Sequence, residues 1–269
     1  MITKLDRKLL DTRFGFVHLW TAGSGPDLLL LHQAAQSSDE FLGIVPLLVP
    51  NFRVISLDFP GHGASDTPDS ELAVPDYCEA AMAVLDAAGS QRTHVFGHHS
   101  GGILAVALAN AAPDRFGRLA LSGAGISDPA VADALLNSPM TRDLPVDADG
   151  EFLHQTWSVY RNMSAPETEP ATSFLPFVVG LRARLRPYDM HYELLRWDYE
   201  SSWRTLRHRT LLIKGEHDRF AGDIAGLNDA LANSSMCEIP GGGAWLLYEQ
   251  PHAIAGVLGE FFGDDSVET

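Results

Sequence analysis

The sequence predicts an α/β fold: a mostly parallel sheet flanked by helices, with an inserted helical lid. Three observations predict it. Short apolar runs suited to buried strands alternate with helical patterns, the alternation breaks off and later resumes, and one strand leads through a glycine-rich turn straight into a helix of small residues. A length of 269 residues suits one large core, read here as residues 1–127 and 203–269, with residues 128–202 as the insertion.

Taken in order, residues 13–20 alternate and residues 27–31 (DLLLL) form an apolar run between Gly25-Pro26 and His32. They are expected to be an early sheet pair, the second strand being central. Residues 40–48 predict a helix limited by Pro46, and residues 53–57 (RVISL) the next strand. A helix over 76–88, a strand over 93–96, a helix over 100–111 ended by Pro113 and a strand over 118–121 continue the rhythm. From about 128 to 202 aromatic residues are interrupted by Pro139, Pro145, Pro166, Pro170, Pro176 and Pro187, a pattern that fits several short helices better than more sheet. The α/β rhythm returns with a strand over 210–214, a helix near 223–232, a strand over 236–239 and a last helix over 251–262, before a tail at 264–269.

Composition bounds the partners. Acidic residues number 35 against 19 basic ones, a net charge of -16, and such a field repels nucleic acid and anionic membrane. The hydrophobic fraction of 45% and charged fraction of 20% are those of an ordinary globular protein. Cys78 and Cys237 are far apart and outside any metal-ligand spacing, and no run of 18 uncharged apolar residues occurs. The opening MITKLDRKLLD lacks the apolar stretch of a signal peptide, so the expected location is cytoplasmic. Neither a metal nor an organic cofactor is called for, because no zinc-binding histidine pattern, dinucleotide-binding glycine pattern or phosphate-loop lysine is present.

The segment THVFGHHSGG, residues 93–102, carries most of the chemistry. A β-forming run, then Gly97-His98-His99-Ser100-Gly101, then a helix-forming run is the strand, sharp turn and helix of a nucleophile elbow, with His99 at its centre. Glycines on both sides suit a strained central residue whose neighbours pack closely. A frame shifted to Ser100 would put His98 at the first glycine's place and move the hydroxyl onto the helix.

With these residues in view, the sequence resembles the α/β-hydrolase superfamily, in which the elbow usually reads G-H-S-x-G-G. The resemblance also rests on residues 28–32, on the turn DFPGHGASD at 58–66, on LIKGEHD at 212–218, and on PGGGA at 240–244 followed by Glu249-Gln250-Pro251. It implies a nucleophile position at His99, an acid at Asp218 and the family's catalytic histidine at Ala244, which is the position of a missing base. It further implies an oxyanion site from the N–H groups of Ala34 and Ser100, at the loop His32-Gln33-Ala34 and the start of the helix. An ordinary triad of hydroxyl, imidazole and carboxylate cannot be assembled from the matched positions.

His99 is compatible with three roles: a general base or polariser, a nucleophile forming an acyl-imidazole, or an imidazole that only hydrogen-bonds in a pocket. Ala244 leaves room for it to lean toward Asp218. Asp128, after an earlier strand, is the reserve acid. His98 and His99, being adjacent, are expected to diverge, whereas His217 and His252 read as surface residues. The substrate is expected to be a small, largely apolar or aromatic molecule, contacted by His32, Gln33, His98, Trp157, Phe177, Trp197 and Trp245, with the remaining lid aromatics, Phe174 among them, packing lid against sheet.

The function implied is hydrolysis of an ester, lactone or similar activated carbonyl. Two alternatives stay open: a catalytically inactive binding protein, whether Ala244 is a natural loss or an introduced substitution, and a cofactor-free lyase or oxygenase in which His99 removes a proton. A homodimer also stays open.

Overall fold

A computed structural model describes residues 3–125, 130, 133, 137, 145–183 and 190–263. Its centre is an eight-stranded sheet in the order β1-β2-β4-β3-β5-β6-β7-β8. The strands are β1 (Asp6–Thr12), β2 (Gly15–Gly23), β3 (Asp27–Leu31), β4 (Arg53–Leu57), β5 (Thr93–His98), β6 (Phe116–Ser122), β7 (Thr210–Gly215) and β8 (Ser234–Ile239). The pairs β1–β2 and β2–β4 are antiparallel, and every pair from β4 through β3, β5, β6 and β7 to β8 is parallel.

β3 lies between β4 and β5, so the chain leaves it first toward one edge and later toward the other. At such a switch point the loops beyond the carboxyl ends of the two neighbouring strands separate and leave a crevice. The loop after β3 begins at His32 and the turn after β5 is His99, so the two segments singled out in the sequence meet there.

Alternation along the strands divides the core. Leu29, Leu31, Val95, Leu119 and Leu121 face a cluster with helices α2 (Val74–Ala87) and α3 (Ser100–Ala111). Leu28, Leu30, Phe96, Ala120 and Ile213 face the opposite cluster, built with α1 (Val45–Leu48) and the last helix. α3 is buried around nearly all its surface, which its alanines and glycines permit by letting it approach β5 closely. Asp76 Oδ2 accepts from Ala73 N at 2.9 Å at the start of α2, where Pro75 costs no helical hydrogen bond.

Between β6 and β7 come α4 (Glu151–Met163), α5 (Pro170–Ala183), α6 (Met190–Arg196) and α7 (Tyr199–Thr205), the inserted helical region. Asp147 opens α4 by accepting from Glu151 N at 2.9 Å and Phe152 N at 3.0 Å, and α5 contains Pro176. The chain ends on α8 (Ile224–Ala230), capped by Asp223, then α9 (Leu246–Glu249) and α10 (Pro251–Gly263). No helix among the described residues is long and apolar enough to cross a membrane.

The fold class is as expected, but three local expectations are corrected. β2 pairs with β1 and β4 rather than with β3. β1 was not foreseen, because an edge strand reading DRKLLDT is exposed along most of its length and has no apolar alternation. The helix expected over 40–48 is instead a short 3-10 turn, Ser38–Phe41, and the single turn α1, since Pro46 cannot donate within a longer helix.

Candidate active site

His99 sits at φ 46° and ψ -113°, between the last residue of β5 and the first of α3. Its amide donates to Ser122 O at 2.7 Å, and its carbonyl accepts from Gly102 N at 2.8 Å, so the bend is pinned on both sides. Among the described residues the non-glycine positions with positive φ are Ala35, at 60°, and His99. Strain of this kind persists only where surrounding structure over-determines it. The two strained turns are joined by one bond: Ala34 N donates to Ser100 Oγ at 2.9 Å. The approach also requires Gly101, where a Cβ would lie 2.0 Å from Leu31 O.

The His99 ring reaches across the end of β6, bringing Nε2 to 3.2 Å from Asp218 Oδ2. The contact lacks the alignment of a full hydrogen bond. Gly123 forms the wall beside it: a Cβ there would stand 2.6 Å from His99 Cε1 and 2.9 Å from Asp218 Oδ2. Asp218 follows β7 in a turn closed by its amide on Gly215 O, and its Oδ1 accepts from Phe220 N at 2.9 Å. Burial works against its charge, yet the nearby His99 and the Phe220 amide hold its carboxyl below the usual carboxylate range. The His99 side chain retains 12% of its surface, and because Nε2 is enclosed, that exposure belongs to the rest of the ring.

His98 does not diverge from His99: the ring centroids are 4.6 Å apart, edge to face. His99 has a positive φ, so the alternation of successive side chains along β5 does not continue through it. His98 is buried, places Nε2 3.2 Å from Ala244 O, and has its pKa pushed down to about 3 by burial and then by the neighbouring imidazole. His32, expected at the substrate, is wholly buried, with Nδ1 2.7 Å from Gln33 O and Nε2 accepting from Phe59 N at 3.0 Å. Both ring nitrogens are therefore spent on shaping the loop. Gln33 is likewise occupied, its amide and side-chain nitrogen donating to the two oxygens of Glu40 at 3.0 and 3.2 Å. Glu40 is enclosed without a cation, and burial lifts its carboxyl well above the usual range while Gln33 pulls the other way.

Ala244 is fully buried, and its amide donates to Met163 O at 2.9 Å. It belongs to an apolar cluster with Tyr160, Met163, Phe177 and Trp245, against which Trp157, Phe220 and Tyr248 pack. Trp245 stacks on Tyr160 at 4.8 Å and 8°, and Trp157 meets Phe177 at 5.3 Å. Three of the four lid and loop aromatics expected at the substrate thus stand together beside residue 244. Trp197 does not: it packs on the larger core cluster, its Nε1 donating to Ser202 Oγ at 3.2 Å, because it stands between α6 and α7, both of which pack on α3. Phe174 departs from the expected packing, remaining 52% exposed on the outside of α5. Asp128 lies outside the described residues. His217 is half-buried and His252 exposed.

Several neighbours of the site had no signature in the sequence. Gly123 follows the strand expected over 118–121 and Glu40 opens the helix expected over 40–48, and neither carried a motif that marked it. Gln36, whose Nε2 donates to Pro176 O at 3.0 Å while Tyr248 OH approaches its Oε1 at 3.4 Å, ties the loop after β3 to α5. No group of three or more His, Cys, Asp or Glu among the described residues could hold a metal ion.

The model of the α/β-hydrolase fold family matches residues 26–144. An esterase structure from Thermogutta terrifontis superposes with a TM-score of 0.81 at 19% identity, covering 96% of this chain and 98% of that one. The chain has the α/β-hydrolase fold. A 2-hydroxy-6-oxononadienedioate/2-hydroxy-6-oxononatrienedioate hydrolase of Cupriavidus pinatubonensis is 26% identical over 94% of this chain and 92% of its own length. An uncharacterised protein of Mycobacterium tuberculosis is 36% identical over 104 residues, 39% of this chain, and the match spans 30% of that relative's length. The Cupriavidus relative is named as a hydrolase and the Thermogutta structure as an esterase.

Proposed function

We propose that this chain hydrolyses an ester, lactone or similarly activated carbonyl of a small, largely apolar or aromatic substrate, with His99 as general base and Asp218 orienting it. The observation that carries the reading is the 3.2 Å approach of His99 Nε2 to Asp218 Oδ2 at a strained elbow. A carboxylate beside Nε2 favours the proton on that nitrogen and leaves Nδ1 with the basic lone pair. Water adds to the carbonyl carbon while its proton passes to Nδ1. The tetrahedral oxyanion then collapses, the bond to the leaving oxygen breaks, and the imidazolium returns the proton to that oxygen. The aromatic cluster beside Ala244 supports an apolar substrate, and the named hydrolase relatives support carbonyl chemistry.

Turnover of 4-nitrophenyl butyrate tests this. His99→Ala and Asp218→Asn are each expected to lower kcat by about 100-fold or more, the usual worth of a positioned base. Unchanged turnover in His99→Ala would remove His99 from the chemistry.

A second reading, a binding protein without turnover, is favoured by the methyl group of Ala244 at the place where the resemblance puts a base. A silent wild type that gains turnover as Ala244→His would select it.

A further inference from the structure

Ser100 offers more than its backbone. Its Oγ accepts the Ala34 amide at 2.9 Å, the residue is 8% exposed, and it stands next to His99 at the first position of α3. Among the described residues its hydroxyl proton has no acceptor. A buried hydroxyl with an unspent proton is costly to leave so, and one that already accepts from an amide is polarised toward donating. The Ala34 amide, meanwhile, is not free to receive a substrate oxygen directly, because the serine oxygen occupies its hydrogen-bonding direction.

We infer that the oxyanion site of this protein is built on the Ser100 hydroxyl, which donates to the substrate's carbonyl oxygen while the Ala34 amide donates to Ser100 Oγ. The amide then acts at one remove, by strengthening the serine donor. This inference rests on the hydrolytic reading above for its meaning in turnover, but the donor itself can be tested without turnover. The ligand class is a carbonyl oxygen that gains negative charge as the carbon becomes tetrahedral, and its stable mimic is a phosphonate monoanion. No bond to Ser100 forms or breaks, and its proton stays on Oγ throughout.

Two measurements decide it. In 4-nitrophenyl butyrate hydrolysis, Ser100→Ala is expected to lose about 100-fold in kcat with little change in KM, as removal of an oxyanion donor does, whereas Ser100→Thr, which keeps the hydroxyl, recovers most of the loss. Binding of phenyl methylphosphonate, read by calorimetry, is expected to weaken about tenfold in Ser100→Ala and to survive in Ser100→Thr. Ser100→Cys, close in size but a poor donor, should follow alanine and thereby separates lost packing from a lost donor. If the wild type shows no turnover, the hydrolytic reading fails and the phosphonate affinities alone judge the donor. Faster turnover or tighter phosphonate binding in Ser100→Ala would mean that the hydroxyl plugs the site, and equal values would mean that it faces no ligand; either result overturns the inference.

Discussion

His18 Nδ1 lies 2.9 Å from Asp58 Oδ2 and His99 Nε2 lies 3.2 Å from Asp218 Oδ2, with the carboxylate side chains 4% and 2% exposed and the imidazoles 13% and 12%. Burial does not distinguish them; satisfaction does. Asp58 takes His18 and Ala64 N on one oxygen and Ser38 N on the other, and its carboxyl is held far below the usual range despite burial. Asp218 has Phe220 N on one oxygen and only the poorly aligned His99 on the other, and His99 hangs from a strained backbone. A saturated pair ties two loops together. An unsaturated pair on a strained turn keeps hydrogen-bonding capacity in reserve, which the proposed proton transfer would use.

That contrast predicts unequal costs. Asp58→Ala removes the partner of three donors and should cost about 3–5 kcal/mol in urea denaturation, against about 1–2 kcal/mol for Asp218→Ala. Equal losses would make the second pair as structural as the first.

A smaller effect belongs to His98, beneath the pair. Its pKa falls from 6.5 in the unfolded chain to about 3 in the fold, so the folded state excludes a proton that the unfolded state accepts. The stability this contributes is complete above pH 6.5 and is lost as the pH falls toward 3. Between pH 7 and pH 5 the loss should be about 2 kcal/mol, and His98→Asn should flatten that part of the profile.

Gly123→Ala comes next. It should cost about 1–2 kcal/mol and reduce ester turnover further than the lost stability explains. Gly89 is the control: its φ of +69° is close to the +64° of Gly123, but nothing lies within 4 Å of a Cβ placed there. Gly89→Ala therefore carries the backbone strain alone and should leave turnover intact. Equal effects on turnover would show that the wall beside His99 does not matter.

The smallest expected effect has the opposite sign. His99→Gly relieves a positive φ and should stabilise the protein by about 1 kcal/mol while abolishing turnover, an exchange of stability for function that thermal melting and the ester assay would read together.

How much of this was legible beforehand differs from residue to residue. Asp27–Leu31, the first four residues of Thr93–His98 and Ser100–Ala111 were readable because periodicity and turn residues act over a few neighbours. β1 was not, since an exposed edge strand has no alternation to read. His98 and Asp218 were marked by motif position, but their partners were hidden: Ala244 O lies 146 residues from His98. His32 and Gln33 were assigned to the substrate because they adjoin the oxyanion loop, and only the Phe59 amide and Glu40 reveal that their polar groups are already engaged.

By itself, the sequence determined the layered α/β class, the elbow around residue 99, the absence of a hydroxyl at its centre and the absence of an imidazole at 244, because these follow from local pattern and from which side chain stands where. Tertiary structure decided that His99 folds back onto His98 and reaches Asp218, that Gly123 walls the pair, and that the Ser100 oxygen takes the Ala34 amide. The reason is physical: a hydrogen bond or ion pair depends on distances of a few tenths of an ångström between groups that only the packed sheet brings together.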